Sequence, residues 1–225
     1  MSWTPKSSPA SLPGHKRYEA TPLDPQQARR LLCTLQHDRL EALFTVPLAI
    51  GLRPGEALGL MWSDIDWDRG TLQVSRSLQR IEGKLQIEEL KSRSSRRSVK
   101  IPEVALASLK AHRIRQAEEQ LAAGPDWRDT GLIFTTRRGT PLAPRFVARS
   151  FKRILKQAQL PDARVYDLRH TCATLLLVQG AHPRVVMEIL GHSQISLTMN
   201  TYSHVVPQLQ DQAAVLMDDL LSGNL

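Results

Sequence analysis

With 225 residues, and 30 Lys and Arg against 22 Asp and Glu, the chain has a formal charge of +8; it is long enough for one good core and basic enough to point to a polyanion partner. The longest apolar run, Leu43 to Leu52, is about half the 20 residues a membrane span needs and contains Pro47, and no apolar stretch follows the first basic residues, so neither a span nor a secretory signal is expected. Two cysteines, Cys33 and Cys172, exclude a disulfide framework or a thiolate metal cluster, and both are expected as reduced core thiols of a cytoplasmic protein.

Residues 1–20 are rich in Ser, Pro and basic side chains and are expected to be a disordered tail or linker ahead of one domain over 21–225. Asp24-Pro25-Gln26-Gln27 then starts a helix, with Asp24 as cap, Pro25 in the first turn and Gln27 closing a capping box. Ala28, Leu31, Leu32 and Leu35 form its inward face. A second helix from about Arg39 is apolar nearly all round and ends at Gly51. Pro54 opens a short third helix, so Arg53 sits just before a helix N-terminus, a suitable wall for an anion site.

From Ile65 to Ile101 the pattern changes to short extended runs at Ile65–Trp67, Leu72–Val74, Leu85–Leu90 and Val99–Ile101, read as one small antiparallel sheet. Between the last two lies Lys91-Ser92-Arg93-Ser94-Ser95-Arg96-Arg97, read as an exposed basic hairpin tip. Helix resumes after Pro102, with Val104, Leu106, Leu109 and Leu121 expected inward, and Leu132–Thr135 is extended. Pro144 to Ala158 is amphipathic, with Arg145, Arg149, Lys152, Arg153 and Lys156 opposite its apolar face. Asp167 is read as the cap of the next helix and Pro183 as the start of another, which stops at Gly191. A short helix from about Ser196 carries Tyr202, and an amphipathic helix over 208–221 closes the chain. The fold class is α+β, mainly α-helical, with a small antiparallel sheet at one edge.

A phenol, an imidazole, a lysine and two arginines suit attack on a phosphodiester without a metal or ATP. Guanidinium is always charged and matches phosphate oxygens bidentately, which makes Arg53 and Arg169 the clamp candidates. Lys91 suits the general acid for a departing 5′ oxygen, provided its pKa falls from about 10.4. Tyr202 would be the nucleophile. His192, at a helix-ending corner, could donate to the phosphate. Arg93, Arg96 and Arg97 in the basic stretch, with Arg149 and Lys152 on the basic helix, are the candidate DNA contacts.

The segments GLRPGEALGL around Arg53, LKSRSSRRSVKIP around Lys91, YDLRHTCATLLL around Arg169 and LGHSQISLTMNTYSHV with His192 and Tyr202 resemble the catalytic domain of tyrosine recombinases of the phage-integrase type. The resemblance covers nearly all of 21–221. It implies that Arg53, Lys91, Arg169, His192 and Tyr202 inherit the catalytic roles above. It also implies double-stranded DNA carrying a recombination site as substrate, a 3′-phosphotyrosyl intermediate, no cofactor, and a tetramer of like subunits on paired sites, with the C-terminal helix docking in trans. A bacterial cytoplasmic, nucleoid-associated location follows from the same resemblance.

One position departs. The family places a histidine three residues before the second arginine, and this chain has Tyr166, which can donate to a phosphate oxygen but cannot take up a proton near neutral pH. Tyr166 is therefore given a phosphate-binding role, and His170, turned about 100° around the helix, stands behind the reacting groups. The family usually carries a helical domain ahead of this one, and with only the twenty-residue tail before it the chain is expected to be an isolated catalytic domain, either a natural short form or a fragment. Two alternatives stay open: relaxation of supercoils in the manner of a type IB topoisomerase, and a DNA-binding domain with impaired catalysis.

Overall fold

The computed structural model describes residues 22–92, 95–193 and 206–222. The expected tail, Arg93 and the short helix with Tyr202 lie outside the described residues. Helix α1 (Pro25–Leu35) begins as its sequence requires: Asp24 Oδ1 accepts from Gln27 N at 2.8 Å, and Gln27 Oε1 accepts from Asp24 N at 3.1 Å. Such a cap contributes about 1 kcal/mol. Its buried face, Ala28, Leu31 and Leu35, packs on α2 (Glu41–Ile50) and α5 (Pro144–Gln157).

Helix α2 is the element the others surround, since eight of its ten residues are buried, including Pro47. An interior proline costs a free helix about 3 kcal/mol; here burial on every side holds the turn, with Phe44 against Phe151 at 5.0 Å between ring centroids. Gly51 ends the helix in the left-handed region at φ 67°. A Cβ there would lie 2.5 Å from a Leu190 methyl, so only glycine lets the chain turn this close to Leu190.

The extended region departs from expectation. Among the described residues five strands form two sheets. β1 (Ile65–Asp66), β2 (Thr71–Val74) and β5 (Arg97–Lys100) pair in the order β1-β2-β5, while β3 (Arg76–Ile81) and β4 (Lys84–Glu89) form a separate hairpin. The basic stretch is thus a link between two sheets rather than a hairpin tip. Strand β3 escaped the sequence reading because backbone contact, not an apolar stripe, holds it. Gly55 of helix α3 (Pro54–Leu58) and Gly59 at its C-cap lie against it, and a Cβ on Gly59 would lie 3.0 Å from both Leu78 N and Ser77 Cα.

Helix α4 (Glu103–Ala123) is also rotated from expectation. Leu109 is buried as expected, but Val104 and Leu121 are exposed, and Ala105, Ser108, His112 and Gln116 are buried instead. Polar residues face inward because the extended 132–135 segment has backbone groups to satisfy. His112 Nε2 meets Ile133 O at 2.7 Å, and Gln116 Nε2 donates to Ile133 O at 2.9 Å and to Thr135 Oγ1 at 3.0 Å.

Helix α5 buries Val147, Phe151, Ile154 and Leu155 as the periodicity predicts. Helix α6 (Asp167–Val178) is capped at Tyr166; Asp167 is its first residue, and its carboxylate accepts from Arg164 N at 2.7 Å. Cys172 is buried, but Cys33 is exposed, because it falls on the outer face of α1. Helix α7 (Pro183–Leu190) ends at Gly191, φ 68°, and α8 (Val206–Ser222) closes the described chain with Val215, Met217, Leu220 and Leu221 exposed. Among the described residues no helix is long and apolar enough to cross a membrane.

Candidate active site

Three remote segments converge where α2 ends. Arg169, on the first turn of α6, is 1% exposed, and its Nη1 donates to Gly51 O at 2.7 Å, two residues before Arg53. Its Nη2 is buried without a hydrogen-bond partner among the described residues. A guanidinium so placed is costly unless an anion completes it. Burial, with the nearby charges of Arg53 and Arg97, pulls its pKa down to about 10, and it stays a cation at neutral pH.

Arg53 caps α3, and its fork is steered by a residue not singled out from the sequence, Glu56. That carboxylate is 1% exposed; Oε2 accepts from Arg53 N at 2.9 Å and Oε1 from Arg53 Nη1 at 2.6 Å. Arg97 Nη2 adds a bond to Glu56 Oε2 at 3.0 Å. Burial raises the Glu56 pKa, but the charges and hydrogen bonds of Arg97 and Arg53 outweigh it and hold the group below the usual carboxylate range. The signal was present in the sequence: a Glu three residues after the residue that precedes a helix is half of a capping box.

His192 follows the left-handed Gly191, and its backbone N donates to Met187 O at 3.1 Å. Burial first, then Arg169, Arg53 and Arg97, depress its imidazole pKa to about 4. His192 and Arg97 line the same groove, of about 540 Å³, lined also by Lys100, Arg184, Ile189 and Gly191. Among the described residues the buried Glu56 carboxylate binds Arg53 and Arg97 but not Arg169, whose guanidinium can neutralise charge growing on a phosphate.

The remaining candidates are placed as follows. Lys91 is exposed, where β4 gives way to the link. Arg96 turns back on that link, its Nε donating to Leu90 O at 2.7 Å and Nη2 to Glu89 at 2.8 Å. Arg97 corrects the reading of the basic stretch as wholly exposed: it is 8% exposed and bound to Glu56, Ser95 O and Ile189 O, so its fork is not presented to DNA. Arg149 is exposed on α5, and Lys152 pairs with Asp162. Tyr166 is exposed, with its ring edge-on to His170 at 5.1 Å. Burial lowers the His170 pKa, opposed by Asp167. Among the described residues no group of three His, Cys, Asp or Glu could hold a metal ion.

Comparison with known proteins gives the family and the fold. The model of the phage integrase family matches residues 22–208. A XerC-like tyrosine recombinase of Caldanaerobacter subterraneus subsp. tengcongensis is 36% identical over 207 residues, covering 87% of this chain and 53% of that protein. The ICEBs1 integrase of Bacillus subtilis is 30% identical, covering 88% and 54%. The chain therefore spans about half the length of these relatives. The Tn1549 transposon integrase, solved in complex with transposon right end DNA, superposes with a TM-score of 0.75 at 24% identity over 90% of this chain and 68% of that one, and XerA recombinase with 0.68 at 23% over 90% and 66%. These likenesses show the fold.

Proposed function

Since the chain belongs to the phage integrase family, we propose that it is the catalytic domain of a site-specific DNA recombinase that cuts one strand and joins it to another through a 3′-phosphotyrosine link. The observation that carries this is the buried Arg169, whose Nη2 has no hydrogen-bond partner among the described residues and whose Nη1 is held by Gly51 O, two residues before Arg53. In this reading Arg53 and Arg169 clamp the two non-bridging oxygens, and His192 and Tyr166 donate to them. The Tyr202 oxygen attacks phosphorus, the P–O5′ bond breaks, and Lys91 protonates the departing 5′ oxygen. The phenol proton leaves to water, because Tyr166 stands where a basic imidazole would be. Attack by the 5′-hydroxyl of a partner strand reverses the step and frees the tyrosine.

Arg96, Arg149, Lys152 and Arg93 supply backbone contacts to DNA, the first three from exposed positions, and their contribution weakens with salt. Neighbouring copies on paired sites would be linked through α8. Support comes from its exposed Val215, Met217, Leu220 and Leu221, and from an apolar groove of about 360 Å³ at Ala28, Leu32, Leu48, Ala49, Leu175 and Leu176. A nicked suicide substrate tests the reaction. A covalent protein–DNA band, lost in Tyr202→Phe, is expected; intact binding at low salt with no band contradicts it. Relaxation of supercoiled DNA without strand exchange would instead favour topoisomerase-like chemistry.

A further inference from the structure

Arg97 touches three segments that carry the groups proposed to react, yet it is withdrawn from DNA itself. Its Nε donates to Ile189 O at 2.6 Å, Nη1 to Ser95 O at 3.1 Å and more weakly to Glu56 Oε1 at 3.4 Å, and Nη2 to Glu56 Oε2 at 3.0 Å. Ile189 lies in the last turn of α7, where carbonyls lack helical partners, three residues before His192. Glu56 holds the backbone and fork of Arg53. Ser95 belongs to the link that begins at Lys91 and is closed by Ser95 N on Ser92 O at 3.1 Å.

We propose that Arg97 is a positioning residue, which fixes the spacing of Arg53, Lys91 and His192 around the bound phosphate by tying their three segments to one rigid fork. The proposal rests on the strand-cleaving reading above. A pair that only stabilised the domain would need nothing beyond Glu56. Here the fork also reaches two backbone carbonyls, each on a segment leading to a proposed reacting group. Guanidinium suits this task because its donors diverge in one plane, whereas a lysine ammonium is a compact charge on a flexible stem. Small misplacements of reacting groups are expensive in rate, on the order of a hundredfold for about 1 Å.

The test uses Arg97→Lys, which keeps the charge and the pairing with Glu56, alongside Arg97→Gln. Leu155→Ala, at a buried site on α5, serves as a control for lost stability. Single-turnover cleavage of a nicked suicide substrate is measured at saturating protein and at equal margins below each melting temperature, with binding of intact DNA measured separately. Arg97→Lys is expected to bind within about threefold of wild type but to form covalent complex at least about tenfold more slowly, while Leu155→Ala cleaves within about twofold. Cleavage by Arg97→Lys as fast as wild type, or slowed only as much as the control, overturns the proposal.

Failure of wild type itself to form covalent complex would sink the strand-cleaving reading, and a second measurement then decides the role of Arg97. NMR titration of the His192 ring in DNA-free protein should show its midpoint raised by about half a pH unit or more in Arg97→Lys, which keeps the charge, as the imidazole loosens and gains solvent. An unchanged midpoint overturns the positioning role without reference to activity.

Discussion

Replacing Glu56 by Gln keeps the shape of the side chain and removes its charge. In the native corner the carboxylate accepts from Arg53 N at 2.9 Å, Arg53 Nη1 at 2.6 Å and Arg97 Nη2 at 3.0 Å, with 1% of its surface exposed. The amide offers one oxygen where two accepted, and turns its own N–H donors toward a guanidinium. Arg97 is left buried and short of a counter-charge, and breaking such a buried pair costs about 3–5 kcal/mol. Against a total stability of about 5–15 kcal/mol, that should lower the melting temperature by roughly 6–20 °C. Urea denaturation at pH 7 measures the loss. The pH dependence supplies a second check. Because the folded pKa of Glu56 is depressed, its stabilisation is complete above the unfolded value near 4.5 and disappears as pH falls through the folded pKa. The gap between wild type and Glu56→Gln should therefore narrow only below about pH 4.5. A loss under about 1 kcal/mol at pH 7, or a gap that is flat down to the acid transition, would refute the reasoning.

An anion should complete the corner around Arg169 and reverse the depression of the His192 pKa. NMR of the His192 ring should show a midpoint near 4 that rises when a phosphate-containing oligonucleotide binds, with proton uptake on binding between about pH 4 and 6.5; a midpoint unmoved by saturating DNA contradicts this. In DNA-free protein the sign is opposite: the neutral ring contributes fully above pH 6.5, and that contribution falls as pH drops toward 4. Gly51→Ala combines left-handed strain of about 1–2 kcal/mol with overpacking against Leu190 of about 1–3 kcal/mol. Denaturation should show a loss of at least about 2 kcal/mol, and a loss below about 1 would show that the contact relaxes freely. Ending the chain before Val206 should leave single-strand cleavage within about threefold while strand exchange between paired sites falls by about tenfold or more; equal losses in both assays would place α8 in the catalytic step instead.

The helices were legible because their signals are local. Asp24 and Gln27 cap α1 as their spacing requires, and the apolar faces of α2 and α5 are buried where the periodicity put them. Two of the misreadings, β3 and the face of α4, share a cause, which is that backbone rather than side chains sets the packing. Strand β3 is held by Gly55 and Gly59, and α4 turns His112 and Gln116 inward to serve the 132–135 backbone. Within the candidate site, Arg53, Arg169 and His192 were singled out from motifs, and the structure ties Arg169 Nη1 to Gly51 O, two residues before Arg53. The part played by Arg97 was not legible there, because a buried arginine and one that meets phosphate look alike in a run of Ser and Arg. Only its bonds to Glu56 and Ile189 O separate the two.

The central claim is that one phenol becomes joined to the DNA phosphorus. Wild-type protein trapped on a nicked substrate, digested with protease and nuclease and read by tandem mass spectrometry, should yield a 3′-nucleotide attached to the peptide containing Tyr202. Attachment at another residue, or a trapped complex from which no nucleotide-bearing peptide can be recovered, would contradict the account.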